Sequence, residues 1–275
     1  MELTAEQYSK LSRLIYRKLG LLFDEKKAYF LNKRVASRIV ALGLNDADEY
    51  LFRLGYRDMS GEEMQALANL VTTNETYMFR EFDQLAVFAD YCLPEVIAAR
   101  QRTSDRTLRV WCAGCSSGEE AYTLAIIVRE VFPESETWKI EITATDIDEN
   151  MLALARAAEY GNRSVKGVPP GYSSHLTRTA TGFRVNPKTA SLVRTMKLNL
   201  SEHQQMKAMR RYDFIFCRNV LIYFDDESRR NVLNHFYDAL NPGGYIFLGH
   251  SESVGRITSA FRLKKADGHL LYVKD

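Results

Sequence analysis

Alternating strand-like and helical segments from residue 108 onward predict an α/β domain with a mostly parallel sheet covered on both faces. An almost wholly helical pattern over residues 3–80 predicts an all-α domain ahead of it. Residues 161–197 break the alternation with Gly and Pro turns and short β-like runs, which predicts a small antiparallel insertion.

The helical elements justify themselves in turn. "TAEQYSKLSRLIYRKLG" places Thr4 as a cap with Gln7 three residues on, repeats Leu11, Leu14, Ile15 and Leu19 at helical spacing, and offers Gly20 as a stop. "DEKKAYFLNKRVASRIVALG" gives a second helix from near Asp24 to Gly43. "DADEYLFRLGY" gives a third, and "SGEEMQALANLV" a fourth with Ser60 as its cap. "FDQLAVFADYCLPEVIAAR" is expected as a helix joining the two domains. The expected organisation is a helical domain over 1–80, a linking helix and loop over 81–107, and an α/β domain over 108–275 with its insertion at about 161–197.

The strands follow from apolar runs bounded by turns. They are "LRVWCA", "KIEITATD", "YDFIFCRN", "GGYIFLG", "FRLKKA" and "HLLYVK", with "GFRV" and "SLVRTMKL" assigned to the insertion. Between them, "IDENMLALARAAEY" and "SRRNVLNHFYDAL" have helical spacing.

Composition narrows the function classes. The 275 residues are 46% hydrophobic, enough for two domains. Lys plus Arg number 37 against 35 Asp plus Glu, a net charge of +2 that does not suggest a dedicated nucleic-acid binder. There is no apolar run of about 18 residues for a membrane span. The start lacks a signal-peptide pattern, so a cytoplasmic protein is expected. Cys112 and Cys115 form C-x-x-C, but no second such pair exists, and both suit a strand end and its turn as small apolar residues. His175, His203, His235, His250 and His269 are scattered, so no metal site is expected.

The helical domain has uneven charge. Lys10, Arg13, Arg17, Lys18, Lys26, Lys27, Lys33, Arg34 and Arg38 are opposed over their span only by Asp24 and Glu25. Such a face either docks an acidic partner or is simply solvated. Lys26, Lys33 and Arg34 fit one helical side, whereas Lys27 and Arg38 need not.

The stretch "LRVWCAGCSSGEEAYTLAIIV" reads as strand, glycine turn and helix. Gly114 and Gly118 are four apart, which is not the G-x-G-x-x-G of many dinucleotide sites. Glu119 and Glu120 open the helix, where carboxylates stabilise the helix terminus and repel a pyrophosphate. A cationic, phosphate-free cofactor such as S-adenosylmethionine fits better, with Glu119 near its amino-acid end. Asp146, at the tip of the next strand, suits a ribose diol in either that cofactor or NAD. Asp148 is expected to cap the following helix.

Six separated signatures carry a resemblance: "TTNETYMFR" at 72–80, "VWCAGCSSGEEAYTLA" at 110–125, "ATDID" at 144–148, "LNL" at 198–200, "DFIFCRNVLIYFD" at 213–225 and the late "LNPGGYIFLGHSES". Together they resemble the CheR-type chemotaxis protein-glutamate O-methyltransferases over nearly the whole chain. The resemblance implies a Rossmann-like S-adenosylmethionine-dependent methyltransferase domain with a small antiparallel β insertion, preceded by an all-α N-terminal receptor-recognition domain. It implies methyl transfer to glutamate side chains of methyl-accepting chemotaxis receptors, giving glutamyl methyl esters and S-adenosylhomocysteine.

Site roles follow from the same resemblance. Asn74, Thr76 and Arg80 resemble the segment closing over the cofactor, Glu119 the acid at its methionine end and Asp146 the acid at its ribose. Asn199 and Leu200 look like adenine contacts, and Arg218 and Asn219 like residues lining the same site. Arg80 and Tyr223 resemble the residues that position substrate and methyl group. Lys26, Lys33, Arg34 and Arg38 become candidates for docking the helical methylation region of a receptor, and some family members also hold a receptor C-terminal peptide at the β-subdomain. A monomer is expected. The chain departs from the family pattern at Ala121, often proline, and at Cys112, Ala113 and Gly114, often "SAG" or "SAA"; neither change removes a charged contact.

Overall fold

The computed structural model describes residues 2–103, 105–252, 257–266 and 268–275. The first four helices are α1 (Ala5–Leu19), α2 (Ala28–Leu42), α3 (Ala47–Phe52) and α4 (Glu62–Val71). The expected reciprocal cap forms at α1: Gln7 N donates to Thr4 Oγ1 and Thr4 N to Gln7 Oε1. Gly20 and Gly43 end α1 and α2 in left-handed conformations. A 3₁₀ turn, Glu25–Lys27, precedes α2. Ser60 is not the cap of α4. Gly61 occupies the cap position, and the Asp58 carboxylate turns back to accept from Glu63 N and Met64 N at 3.1 and 2.8 Å.

Helices α5 (Phe82–Val87) and α6 (Leu93–Gln101), joined by the π turn Phe88–Cys92, form the linking helix. Then follow β1 (Thr107–Ala113), α7 (Glu119–Val131), β2 (Lys139–Asp146) and α8 (Glu149–Ala157). The insertion holds β3 (Glu159–Tyr160), α9 (Asn162–Val165), β4 (Leu176–Arg178), β5 (Phe183–Val185) and α10 (Pro187–Ala190). The chain continues through β6 (Val193–Lys197), α11 (His203–Ala208), β7 (Tyr212–Cys217), α12 (Asp226–Ala239), β8 (Leu240–Leu248), β9 (Arg262–Ala266) and β10 (His269–Val273).

The main sheet has the order β6-β2-β1-β7-β8-β10-β9. β6 through β8 pair in parallel, and β10 and β9 close the far edge antiparallel. A separate antiparallel sheet, β3-β5-β4, forms the expected insertion. The run "SLVRTMKL" does not belong to it. Val193–Lys197 pairs in parallel with β2 as the edge strand of the main sheet.

Strand alternation divides the sheet between two cores. Val110, Cys112, Phe214, Phe216, Tyr245 and Phe247 face a core with α5, α6 and α7. Trp111, Ala113, Ile215, Cys217, Ile246 and Leu248 face the other, which they share with Leu11, Ile15, Leu31, Val35 and Leu67 of the N-terminal helices. The helical domain therefore shares the core on that face of the sheet with α12, whose Phe236 packs on Trp111. The chain leaves β1 towards β2 and β6 and returns to β7 on the other side, so the order reverses between β1 and β7. Ligands of open α/β sheets bind at the carboxyl ends of the strands beside such a reversal.

Candidate active site

A cavity of ≈ 330 Å³ lies there, between the strand ends and the N-terminal helices. Small-molecule sites commonly have this scale. Its wall includes Gly114, Cys115 and Ser116 after β1, Asp146 at the end of β2, Asn199 and Leu200 after β6, and Arg218, Asn219 and Tyr223 after β7. Asn74, Thr76 and Arg80 line it from the segment between α4 and α5, and Lys26 lines it from the turn before α2.

The turn after β1 uses its own amides. Gly114 N and Cys115 N both donate to Thr145 O, Ser116 N to Asp146 Oδ2 at 2.7 Å, and Gly118 N to Cys115 O. A pyrophosphate needs such N–H groups free, so this turn is built for a different ligand. Gly114 has φ +80°, and a Cβ there would stand 2.4 Å from Val220 Cγ2. Glycine thus lets the strands close beneath the cavity.

Asp146 receives Ser116 N on one oxygen and Asp148 N on the other, at 2.7 and 2.9 Å. Burial pushes its carboxyl upward, and the amides of Asp148 and Ser116 counter that shift. Asp148 caps α8 as expected, accepting from Asn150 N and Met151 N through Oδ1. Its Oδ2 also accepts from Thr72 Oγ1 and Asn74 Nδ2 at 3.1 and 2.9 Å. The cap therefore ties the "TTNET" segment to the strand ends.

Arg80 stands between two non-glycine residues in the left-handed region, Phe79 at φ +57° and Glu81 at +56°. Ser116 and Asn219, both of the cavity wall, share that conformation at +48° and +60°. Such backbone is costly, about 1–3 kcal/mol per residue, and concentrates at functional sites. Phe79 N is held by Thr123 Oγ1 at 3.1 Å, and Arg218 Nη2 donates to Arg80 O at 2.6 Å. Arg80 itself donates to Glu75 O at 3.0 Å.

Arg218 is the hub of this region. Its side chain is 3% exposed and pairs with Glu81 at 2.9 Å and Glu120 at 3.2 Å. Burial pushes Glu120 upward, and Arg218 opposes the shift. Burial also acts upward on Glu81, but Arg218 and then His250 outweigh it and leave the carboxyl below its ordinary value.

Glu119 sits elsewhere than the helix start alone suggested. It is 3% exposed, accepts from Ser117 Oγ at 2.7 Å and Ser164 Oγ at 3.0 Å, and does not line the cavity, whereas Glu120 does. Asn199 lines the cavity, but its side-chain groups serve Lys18 O and Ser201 N. Arg38 is not a free docking cation. It makes two bonds to Glu63, at 2.9 and 2.6 Å, and Glu63 is 5% exposed. Lys33 is exposed, while Arg34 lies 3.8 Å from the Phe30 ring centroid and donates to Leu70 O. Cys112, Cys115 and Cys217 are buried, and burial pushes their thiols well above the ordinary range, away from nucleophile chemistry.

Sequence reasoning missed Glu120, Glu81 and Ser116. "GEE" and "RE" did display both carboxylates beside residues already singled out, but not the shared partner Arg218.

Comparison with known proteins places this geometry. Residues 74–269 match the model of the CheR methyltransferase SAM binding domain, and residues 6–72 that of the CheR methyltransferase all-alpha domain. The chain belongs to the CheR methyltransferase family. Chemotaxis protein methyltransferase 2 of Vibrio cholerae serotype O1 is 38% identical over 265 residues, 96% of this chain and 91% of that protein. The chemotaxis protein methyltransferase of Escherichia coli K12 is 33% identical, covering 96% and 90%. That of Borreliella burgdorferi is 30% identical, covering 92% and 90%.

The CheR-family chain is therefore a methyltransferase that uses S-adenosylmethionine and releases S-adenosylhomocysteine. Its cavity fits that cofactor by its own chemistry. Ser116 Oγ, Arg218 Nε and Asn219 Oδ1 are buried without hydrogen-bond partners, and all three residues line the wall. Buried polar atoms are rarely left so unless a ligand or water completes them. Asp146 at the strand tip can accept from vicinal hydroxyls. Among the described residues no helix is long and apolar enough to cross a membrane.

Proposed function

We propose that this CheR-family enzyme methylates glutamate side chains in the helical methylation region of chemotaxis receptors, forming glutamyl methyl esters. One observation carries the reading: Arg80 and Tyr223 line the same cavity as Asp146, beside the cationic Lys26 and Lys27. A donor held from the strand ends then meets an anionic acceptor entering past the helical domain. The relatives named above are called chemotaxis methyltransferases, which agrees with a receptor acceptor.

When bound, S-adenosylmethionine supplies an electrophilic methyl group. The protein's residues supply alignment. A glutamate side chain has a reference pKa of about 4.3 and is already ionised at neutral pH, so no general base is required. Burial alone would raise the acceptor's pKa and weaken it as a nucleophile. Arg80 opposes that shift and orients the carboxylate, and Tyr223 positions the acceptor oxygen against the methyl group. Asp146, Asn74, Thr76, Asn199, Leu200, Arg218 and Asn219 serve the cofactor side, and Lys26 and Lys33 serve docking. A receptor tail peptide at the β3-β5-β4 sheet is an additional contact open to test.

The test is transfer of radiolabelled methyl from S-adenosylmethionine to receptor fragments, run beside free small carboxylic acids. Base-labile label on the receptor is expected. Label on the small acids alone, or base-stable label, would refute the reading.

A further inference from the structure

The segment after β8 reaches both loops that frame the cavity. Gln84 Nε2 donates to Leu248 O at 2.8 Å, and His250 Nδ1 lies 3.1 Å from Glu81, the neighbour of Arg80. Two residues on, Glu252 turns to the other loop. Its Oε2 accepts from Asn219 N and Gly249 N, each at 2.8 Å, and its Oε1 faces Ile222 N at 3.3 Å. Asn219 N and Ile222 N belong to the turn that ends in Tyr223, and Asn219 itself is in the left-handed conformation at φ +60°.

The packing is close. A Cβ on Gly249 would stand 2.9 Å from Asn219 N, from Asn219 Nδ2 and from a Glu252 carboxylate oxygen. The carboxylate thus holds the turn at two amides, Asn219 N and Ile222 N, and ties it to the Gly249 backbone, while Val220 O and Leu221 O receive the turn's own N–H groups from Tyr223 and Phe224. A strained residue persists only where its surroundings over-determine it, and Glu252 supplies that determination for Asn219.

We infer that Glu252 is a positioning residue for methyl transfer: it fixes the Asn219–Tyr223 turn so that Tyr223 meets the acceptor in register. The inference rests on the proposed role of Tyr223. Glu252 touches neither donor nor acceptor and acts through the backbone. A Gln in its place keeps size but has one acceptor oxygen and presents an amide donor towards N–H groups. Charge-assisted bonds are roughly twice as strong as neutral ones, so Glu252→Gln should loosen the turn without removing it.

The experiment is a double-mutant cycle on the full chain with receptor fragments, comparing parent, Glu252→Gln, Tyr223→Phe and the double variant. The expected result is a fall in kcat of about 10-fold for Glu252→Gln with KM for the receptor changed less than about 2-fold. In the Tyr223→Phe background, Glu252→Gln should cost no further kcat. Full additivity of the two substitutions overturns the inference. Tyr223→Phe with parental turnover instead overturns the role of Tyr223 on which it rests. A general structural defect would raise KM and lower kcat alike in both backgrounds, and that pattern also rejects the inference. If Glu252→Gln fails to fold, Glu252→Asp, which keeps the charge on a shorter arm, goes through the same cycle with the same outcomes.

Discussion

Arg218→Met tests the reading of the ion-pair hub. The substitution keeps length and apolar character but removes the guanidinium that bridges Glu81 at 2.9 Å and Glu120 at 3.2 Å. Breaking a buried pair costs about 3–5 kcal/mol, because a charge is left without its partner. Both carboxylates keep slight exposure, and Glu81 retains His250 at 3.1 Å, so the low end applies, ~3 kcal/mol. Loss of the bond to Arg80 O adds about 1 kcal/mol. At about 2–4 °C per kcal/mol for a chain of this size, Tm should fall by roughly 8–16 °C.

The pH dependence gives the sharper check on the same variant. Glu120 is raised by burial, so its contribution favours the folded state below its unfolded pKa and is lost as pH rises through the folded one. Removing Arg218 raises Glu120 further and enlarges that loss. Glu81 is lowered, so its stabilisation is present above the unfolded pKa and lost as pH falls through the folded one. Removing Arg218 takes away the largest cause of that lowering and leaves only His250 to oppose burial. Both deficits therefore open with rising pH: the Tm gap to the parent should be widest near pH 7–8 and should narrow towards about pH 4.5. Thermal unfolding of the cofactor-free proteins across that range is the assay. Adding Glu120→Gln to Arg218→Met should recover about 1–2 kcal/mol at neutral pH by removing the stranded charge. A gap that is constant with pH, together with no recovery, would refute the hub.

Asp146→Asn should weaken S-adenosylmethionine binding by about 10- to 100-fold, measured by calorimetry, because a charged acceptor is exchanged for a neutral one. An unchanged affinity would remove Asp146 from the cofactor site. Arg38→Ala should lower stability by about 2–3 kcal/mol in chemical denaturation while leaving the receptor KM alone; a higher KM at parental stability would return Arg38 to the docking face. Lys33→Glu should raise the receptor KM several-fold at low salt, with the effect fading near about 0.5 M salt as screening takes over. A KM that ignores both the charge and the salt would reject docking through Lys33.

What the sequence displayed and what it hid divide along physical lines. Helix caps and strand runs are local, so Thr4, Gln7, Gly20 and Asp148 were legible from their neighbours alone. Ser60 failed because Asp58, folded back across the turn, reaches the same amides. β6 is a half-exposed edge strand, and its mixed burial reads like a hairpin strand of the insertion until its partner β2 is known. The site divides in the same way. A strand tip announced Asp146, whereas Arg218 and Asn219 came from the likeness of "CRN" to the family pattern. The choice between Glu119 and Glu120 depends on about 100° of rotation around a helix, which adjacency in sequence does not resolve. Arg38 looked free because Glu63 lies 25 positions away.

The helical domain is packed into the same core as one face of the sheet. Its residues Leu11, Ile15, Leu31 and Leu67 share one core with Trp111 and Ile215 of the sheet and Phe236 of α12. The end of α1 also bonds to the loops that bear site residues: Lys18 O receives Asn199 Nδ2, Leu19 O receives Ser201 Oγ, and Tyr16 reaches Asp225 just beyond Tyr223. Leu22 N donates to Tyr223 O at 3.0 Å, while Leu22 and Lys26 themselves line the cavity. The backbone that holds Tyr223 in place is thus bonded to the segment that would meet an incoming acceptor. In the shared core Phe236 of α12 packs edge-on against Trp111, so the N-terminal helices complete the core on this face together with α12. Burying a large apolar side chain is worth about 1.5–3 kcal/mol, so losing Leu11, Ile15, Leu31 and Leu67 from that core removes a sizeable share of the usual net stability of about 5–15 kcal/mol. The helical and α/β domains are therefore one packed unit, and a chain cut at residue 108 should be markedly less stable in chemical denaturation than the intact one.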